Sequence, residues 1–221
     1  MNDWQHALAG SPWLAHTIRA VELGTAHGWD RPPIPSLPHL SRLLQAARVT
    51  PVVVDSSPYE VLAWDLADGS TTGWLCLPPS TTPPVGPPDA LHDLWRVTGG
   101  VVDRWNDPDT WVCNHNSVLT PELAAASAAE LVADCSFLWD GLSLPIDPAE
   151  YGVLAEEANR NLTLFHRASG EVLLFAQDHA FGYVETLDGC PEYTFHRIPS
   201  APDVTAWVET VAGQWLAAVR R

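Results

Sequence analysis

The chain has 221 residues, of which 46% are hydrophobic and 17% are charged, a composition typical of a protein with a folded core. Its formal net charge of −16 repels nucleic-acid phosphates and anionic lipids, which argues against direct binding of DNA, RNA or a membrane surface. Nowhere do about eighteen apolar residues follow one another, so the sequence predicts no membrane-spanning helix.

The cysteines and the N-terminus indicate the compartment. Four cysteines are widely scattered and form no CxxC pair and no zinc-type spacing, namely Cys76, Cys113, Cys135 and Cys190. The first residues contain no basic segment followed by an apolar run, so they do not resemble a signal peptide. We therefore expect a cytoplasmic protein with reduced thiols, without a metal or other cofactor.

The N-terminal part predicts helices followed by a small hairpin system. Ser11 and Pro12 can begin a helix that ends near Gly24 or Gly28, and four prolines within residues 31–38 predict a loop. A short helix follows, which Ser36 can cap. The sequence then predicts three strands, at residues 49–55, 59–65 and 72–77.

The middle of the chain alternates between breakers and short elements. Residues 77–89 contain six prolines, and we interpret them as a wall of the fold rather than a linker. Asp89 can cap a helix that stops at Gly99 and Gly100. Further on, the pattern predicts an alanine-rich helix from Thr120 to about Ala133, a strand over residues 135–144 and a helix beginning at residues 147–148.

Residues 161–215 predict an antiparallel meander covered by a helix. Short runs of β-branched and aromatic residues are separated by turn signals at 169–170, 178–182 and 188–189. Apolar residues then recur with helical spacing and form one stripe, made of Val204, Trp207, Val208, Val211, Ala212, Trp215, Leu216 and Val219. Such a stripe needs a surface to cover, and the meander supplies it.

The candidate catalytic groups are sparse. His166, His179 and His196 lie in the meander and could approach one another, although isolated structural histidines are more common than such clusters. Cys113 and His115 lack a third partner for nucleophilic catalysis. The sequence contains no GxSxG, HExxH, GxGxxG or phosphate-binding glycine loop. We therefore expect a binding protein rather than an enzyme.

Three segments resemble a known family. They are residues 87–95 with the following Gly99 and Gly100, residues 173–178 (with Phe-Ala) together with residues 181–184 (Phe-Gly-Tyr-Val), and the helix from Asp203 to Trp215. Over about residues 87–219 the chain is similar to the SUKH superfamily, which groups bacterial toxin-immunity proteins with fungal regulators of the Smi/Knr type. The resemblance implies an α+β fold, a central antiparallel sheet flanked by helices, and a binding role.

We expect a single α+β domain over residues 1–221, because neither half of the chain alone has an obviously complete core. Residues 1–86 would form an N-terminal extension of helices and a hairpin, and residues 87–221 the SUKH-like core. Members of the family are thought to neutralise toxins by contact.

The charge pattern suggests where a partner would bind. Between Arg104 and Arg160 the chain carries ten acids and no lysine or arginine. At the start of this stretch large aromatic residues alternate with acids, and we expect the contact surface there, at Trp105, Asp107, Asp109 and Trp111. The sequence thus predicts an immunity-type protein that binds a basic toxin or another protein partner.

Two alternatives remain open at this level. The first is a small-ligand-binding protein or hydrolase with a pocket lined by tryptophans and the meander histidines. The second is an acidic protein that mimics the phosphates of a nucleic acid, with carboxylates spaced along one ridge.

Overall fold

A computed structural model describes residues 1–80, 87–108, 115–178 and 181–220, without the side chains of residues 12–14, 115 and 116. Among these residues the helices are α1 (Asp3–Gly10), α2 (Pro12–Thr17), α3 (Pro38–Gln45), α4 (Asp89–Trp95), α5 (Pro121–Ala125), α6 (Ala128–Val132) and α7 (Val204–Ala218). Two 3-10 helices cover Ala133–Trp139 and Pro148–Glu150.

The strands form one antiparallel sheet. They are β1 (Val21–Leu23), β2 (His27–Gly28), β3 (Arg48–Val54), β4 (Ser57–Asp65), β5 (Thr71–Cys76), β6 (Val101–Trp105), β7 (His115–Val118), β8 (Tyr151–Glu157), β9 (Leu162–His166), β10 (Val172–Phe175), β11 (Glu185–Thr186) and β12 (Phe195–Arg197). Their order across the sheet is β1-β3-β4-β5-β6-β7-β8-β9-β10-β12-β11, with β2 beside β3. The predicted α+β class with a large antiparallel sheet is confirmed.

The sheet continues across the boundary expected near residue 86. Strand β5 pairs with β6 in a register that places Gly73 opposite Trp105 and Trp74 opposite Arg104. The N-terminal hairpins therefore belong to the same sheet as the C-terminal meander. Of the proline-rich stretch, residues 81–86 lie outside the described part, whereas the Ser80 amide donates to the carbonyl oxygen of Trp95 at 2.8 Å.

A tight turn joins β3 to β4. Asp55 and Ser56 both have positive φ, 47° and 72°, as a two-residue turn matched to strand twist requires. The Asp55 carboxylate also accepts hydrogen bonds from the backbone amides of Arg19 at 3.1 Å and Ala20 at 2.8 Å. The turn thereby holds the segment that leads into β1.

Both faces of the sheet are covered, because alternate residues of a strand point to opposite sides. On β4, Leu62 and Trp64 belong to the large core beneath α3 and α7, whereas Val61 and Ala63 belong to a smaller core with α1. At the other end of the sheet, a third cluster lies under α5, α6 and the 3-10 helix Ala133–Trp139.

Helix α7 is the predicted C-terminal helix, and its apolar stripe is buried. Trp215 is fully buried and meets Trp64 and Trp74 edge to face, with ring centroids 6.0 and 5.0 Å apart. Trp64 donates its indole hydrogen to the Leu43 carbonyl at 2.7 Å, which ties the aromatic cluster to α3. The predicted helix is confirmed, but its Trp215 packs on β4 and β5, which lie outside the predicted meander.

Three predicted elements between residues 120 and 157 are wrong. The alanine-rich helix breaks at Ala126, whose extended backbone separates α5 from α6. The expected strand over 135–144 begins instead as the 3-10 helix Ala133–Trp139. The expected helix from residue 147 is a single 3-10 turn followed by β8.

The cause of the last error is burial on both faces. Nearly every residue of β8 is buried, so its apolar residues form a continuous run instead of an alternating one. The helix predicted from Pro12 to about Gly24 or Gly28 is shorter than expected. It ends at Thr17, and Val21 lies in β1.

Candidate functional site

Trp105, expected as an exposed anchor, lies in the core beside α1. It is 3% exposed. A side chain on either Gly10 or Gly73 would collide with it, so two glycines far apart in sequence make room for this one indole. The Trp105 side chain is therefore not accessible to a partner.

Asp107 is bound internally by Arg104. Its Oδ2 accepts a hydrogen bond from Arg104 Nε at 2.7 Å, and the two side chains are only 16% and 6% exposed. Burial raises the pKa of Asp107, an effect that exceeds the opposing attraction of the Arg104 guanidinium. The other two predicted contact residues, Asp109 and Trp111, lie outside the described residues. Since Trp105 and Asp107 face inward, a contact at residues 105–111 would have to use those two.

The predicted tryptophan-lined pocket is a small cavity between α7 and the sheet. Its volume is about 40 Å³, and its lining includes Trp74, Trp207, Trp215, Thr98 and Arg104. The Thr98 hydroxyl and the Trp215 indole nitrogen are buried without a hydrogen-bond partner among the described residues. A cavity of this size suits ordered water, since protein cavities that bind an organic molecule such as benzene are larger, about 150 Å³.

The meander histidines do not share one site. His166 pairs with Tyr151 in the sheet, and their rings lie 5.1 Å apart on the side that faces α5 and α6. His196 is opposite Leu174, which belongs to the core beneath α7. His166 and His196 therefore point to opposite faces of the sheet, while His179 lies outside the described residues.

His166 and His196 have different structural environments. His166 Nδ1 accepts a hydrogen bond from the Ser169 amide at 3.1 Å and so supports the turn before β10. His196 is 1% exposed, and neither ring nitrogen has a hydrogen-bond partner in the described part of the chain. Burial lowers the pKa of His196, which favours its neutral form.

The described cysteines are free thiols. Cys76 and Cys135 are buried and Cys190 is half-buried. Burial raises the pKa of all three thiols, that of Cys76 to about 12, so the reactive thiolate is disfavoured at neutral pH. Cys113 lies outside the described residues.

An exposed row of side chains that the sequence did not predict lies on α6 and on the 3-10 helix that continues it. Val132 and Cys135 point inward to the core cluster of this end of the sheet. On the opposite side four residues at intervals of three are exposed: Leu131 on α6, Asp134 and Phe137 on the 3-10 helix, and Asp140 directly after its end. No sequence pattern marks this row, because apolar and acidic residues alternate along it.

Large apolar side chains make this row unusual. Leu131 is 41% exposed, Phe137 is 70% exposed and the nearby Leu142 is 58% exposed. Between Phe137 and Leu142 the chain turns at Gly141, which has a φ of 77°. The Leu142 amide donates to the Trp139 carbonyl oxygen at 3.0 Å. We call Leu131, Asp134, Phe137, Asp140 and Leu142 the Phe137 surface.

The surroundings of the Phe137 surface are acidic. Exposed carboxylates within residues 121–150 belong to Glu122, Glu130, Asp134, Asp140, Asp147 and Glu150. Arg160 forms an exposed ion pair with Asp134 at 3.4 Å. Arg167 is bound below the surface, where it donates to the carbonyls of Ala124 at 3.0 Å and Ala126 at 2.7 Å and closes the end of α5. The acids thus outnumber the nearby cations.

The described part of the molecule contains neither a candidate metal site nor a candidate membrane-spanning helix. Within residues 1–80, 87–108, 115–178 and 181–220, no three His, Cys, Asp or Glu residues are placed to hold a metal ion. No helix in these ranges is long and apolar enough to cross a membrane.

Comparisons of the chain with protein-family models, curated proteins and solved structures found no match. The resemblance to the SUKH superfamily therefore depends on the sequence segments alone.

Proposed function

We propose that the chain is a non-catalytic protein-binding module of the immunity type, which binds and neutralises a basic toxin or a comparable basic protein. The observation that carries the proposal is the run from residue 105 to 159, which contains ten acids and no lysine or arginine. Six of these acids are exposed within residues 121–150. A surface of this charge accelerates encounter with a cationic partner and rejects anionic ones.

The SUKH-like segments support the same proposal, because the family they resemble acts by contact. The scaffold suits such a role. A continuous sheet buried on both faces holds α6 and the following 3-10 helix in place, so a contact surface on them is organised before binding.

The proposal is tested with the proteins encoded beside the gene for this chain. Each is purified and titrated with the chain by isothermal calorimetry at low and at high salt, and each toxic product is co-expressed with the chain in a bacterial host. We expect one basic product to bind, to bind more weakly as salt rises, and to lose its toxicity on co-expression. Affinity for none of them, or affinity that salt does not change, would contradict the proposal.

A further inference from the structure

The Phe137 surface combines two features that occur together in protein interfaces, an exposed aromatic anchor and a charged rim. Phe137 follows Asp134 by one 3-10 turn, and Asp140 stands directly after the end of the same helix. Neighbouring positions of the same helix are committed to the core, since Cys135 is buried and Leu138 and Trp139 pack against the same cluster. The helix therefore cannot rotate to bury Phe137 without exposing that inner side.

The inner side is held by specific contacts. Cys135 Sγ lies 2.7 Å from the side-chain oxygen of Gln177. The Trp139 ring packs against Phe175 and Phe195, with centroids 6.3 and 5.9 Å away. These contacts connect the helix to β10 and β12, so Phe137 is presented from a fixed support.

Two other exposed apolar residues, on opposite faces of the far end of the sheet, serve as a comparison. Leu23 on β1 is 44% exposed and Val53 on β3 is 36% exposed. They border a shallow groove with Glu22 and Tyr59. Both are less exposed than Phe137, and Leu23 lies on a three-residue edge strand, a short edge of the kind that limits pairing with other chains.

Charge selects the occupant of the Phe137 surface. The exposed acids of residues 121–150 disfavour a second copy of the chain, because two such surfaces would repel each other across a symmetric interface. They favour a partner that carries lysine or arginine around an apolar groove. The Asp134–Arg160 pair is exposed at both ends, so a partner's cation can replace Arg160 at small cost.

We infer that the Phe137 surface is the docking site for the basic partner, whose apolar groove receives Phe137 while its cations face Asp134 and Asp140. The inference rests on the proposed function for the nature of the partner. It replaces the stretch around Trp105 as the centre of the contact, since Trp105 and Asp107 are directed inward.

The test uses two synthetic peptides of equal length and charge. One is a hairpin of two amphipathic helices, with leucines lining the groove between the helices and arginines bordering that groove, and the matched peptide has serine in place of every leucine. The amide spectrum of the isotope-labelled full chain is recorded as each peptide is added. We expect the leucine peptide to shift amides within residues 131–142 and to bind at least about tenfold more tightly than the serine peptide.

Variants then locate the contact. Phe137→Ala should weaken binding of the leucine peptide by about tenfold or more, and Asp140→Asn by a few-fold with a smaller salt dependence. Leu23→Ala and Glu22→Gln are the matched controls at the other end of the sheet and should change the affinity by less than about twofold. All four positions are exposed, and equal melting temperatures will show that the folds are intact.

The outcomes separate the two proposals. Tight binding that Phe137→Ala leaves unchanged, or that Leu23→Ala abolishes, overturns the docking site and leaves the proposed function standing. Equal binding of both peptides, with shifts scattered over many acidic residues, also overturns the docking site. Absence of binding by either peptide at low salt counts against the basic partner itself, and the docking site then fails with it.

Discussion

The carboxylate of Glu209 on α7 accepts hydrogen bonds from the backbone amide of His39 at the start of α3. The distances from this amide to the two carboxylate oxygens are 3.1 and 2.8 Å, and the Leu40 amide donates at 3.1 Å. Helix α3 begins after Leu37, whose apolar side chain cannot cap it. Glu209 therefore supplies the missing cap from a position 170 residues away.

Glu209→Ala should lower the free energy of unfolding by about 1–2 kcal/mol, because it leaves two amides of α3 without an acceptor and removes a negative charge from the helix N-terminus. Urea unfolding followed by tryptophan fluorescence measures the change. Glu185→Ala, at an exposed position on the edge strand β11, is the matched control and should change stability by less than about 0.5 kcal/mol. Equal effects of the two substitutions would exclude the capping role.

Gly73 and Trp105 should show strong energetic coupling. A β-carbon at Gly73 would collide with the Trp105 ring and the Leu62 carbonyl, so Gly73→Ala should destabilise the protein by about 1–3 kcal/mol. Replacing Trp105 by leucine in the same chain should recover part of that loss in a double-mutant cycle. Gly28→Ala is the control, since no atom lies within 4 Å of the added carbon. Additive effects of the Gly73 and Trp105 substitutions would contradict the packing described.

His196 should make the protein sensitive to mild acid. Burial lowers its pKa in the folded state, whereas in the unfolded chain it takes up a proton below about pH 6.5. The unfolded state therefore binds more protons as pH falls through that value, and the free energy of unfolding decreases. The nearby Glu192 carboxylate opposes the shift without cancelling it.

The His196 effect is measured as the difference in unfolding free energy between about pH 7.5 and about pH 5.5. His196→Leu should reduce this difference, because it removes the buried group that must remain neutral. His27→Leu changes an exposed histidine and should leave the difference as it is in the wild type. An equal pH dependence of the two variants would contradict a buried His196 that must remain neutral.

Asp107→Asn should leave the affinity for a basic partner unchanged. The Asp107 carboxylate is mostly buried and faces Arg104, so it contributes little to the field outside the protein. Asp140→Asn, in the exposed row, should weaken the same binding and reduce its salt dependence. Titrations of both variants at two salt concentrations make the comparison, and a larger loss for Asp107→Asn would return the contact to the stretch around Trp105.

Local pattern was sufficient for much of the fold and insufficient for the site. The stripe from Val204 to Val219 predicts α7 because one helix face must be apolar, and the short run at residues 59–65 is likewise predicted and found as a strand, within β4. Trp105 and Asp107 have no such local signal. Their burial depends on Gly10 and on the side chain of Arg104, and only the folded chain brings these groups together.

The predicted strand over residues 135–144, which contain Phe137, was wrong for another reason. Leu138 and Trp139 follow Phe137 directly, and such a short aromatic run has the propensity of a strand. The 3-10 geometry of Ala133–Trp139 results from the inward packing of Cys135 and Trp139, which is a tertiary effect. Exposure of Phe137 is therefore a property of the folded chain and could not be inferred from residue type.

The most direct measurement is the dissociation constant of the amphipathic cationic peptide for the wild type, for Phe137→Ala and for Leu23→Ala, determined in one buffer at low salt. We predict a loss of about tenfold or more for Phe137→Ala and less than about twofold for Leu23→Ala. Equal constants for the wild type and Phe137→Ala would contradict the claim that this surface receives the partner.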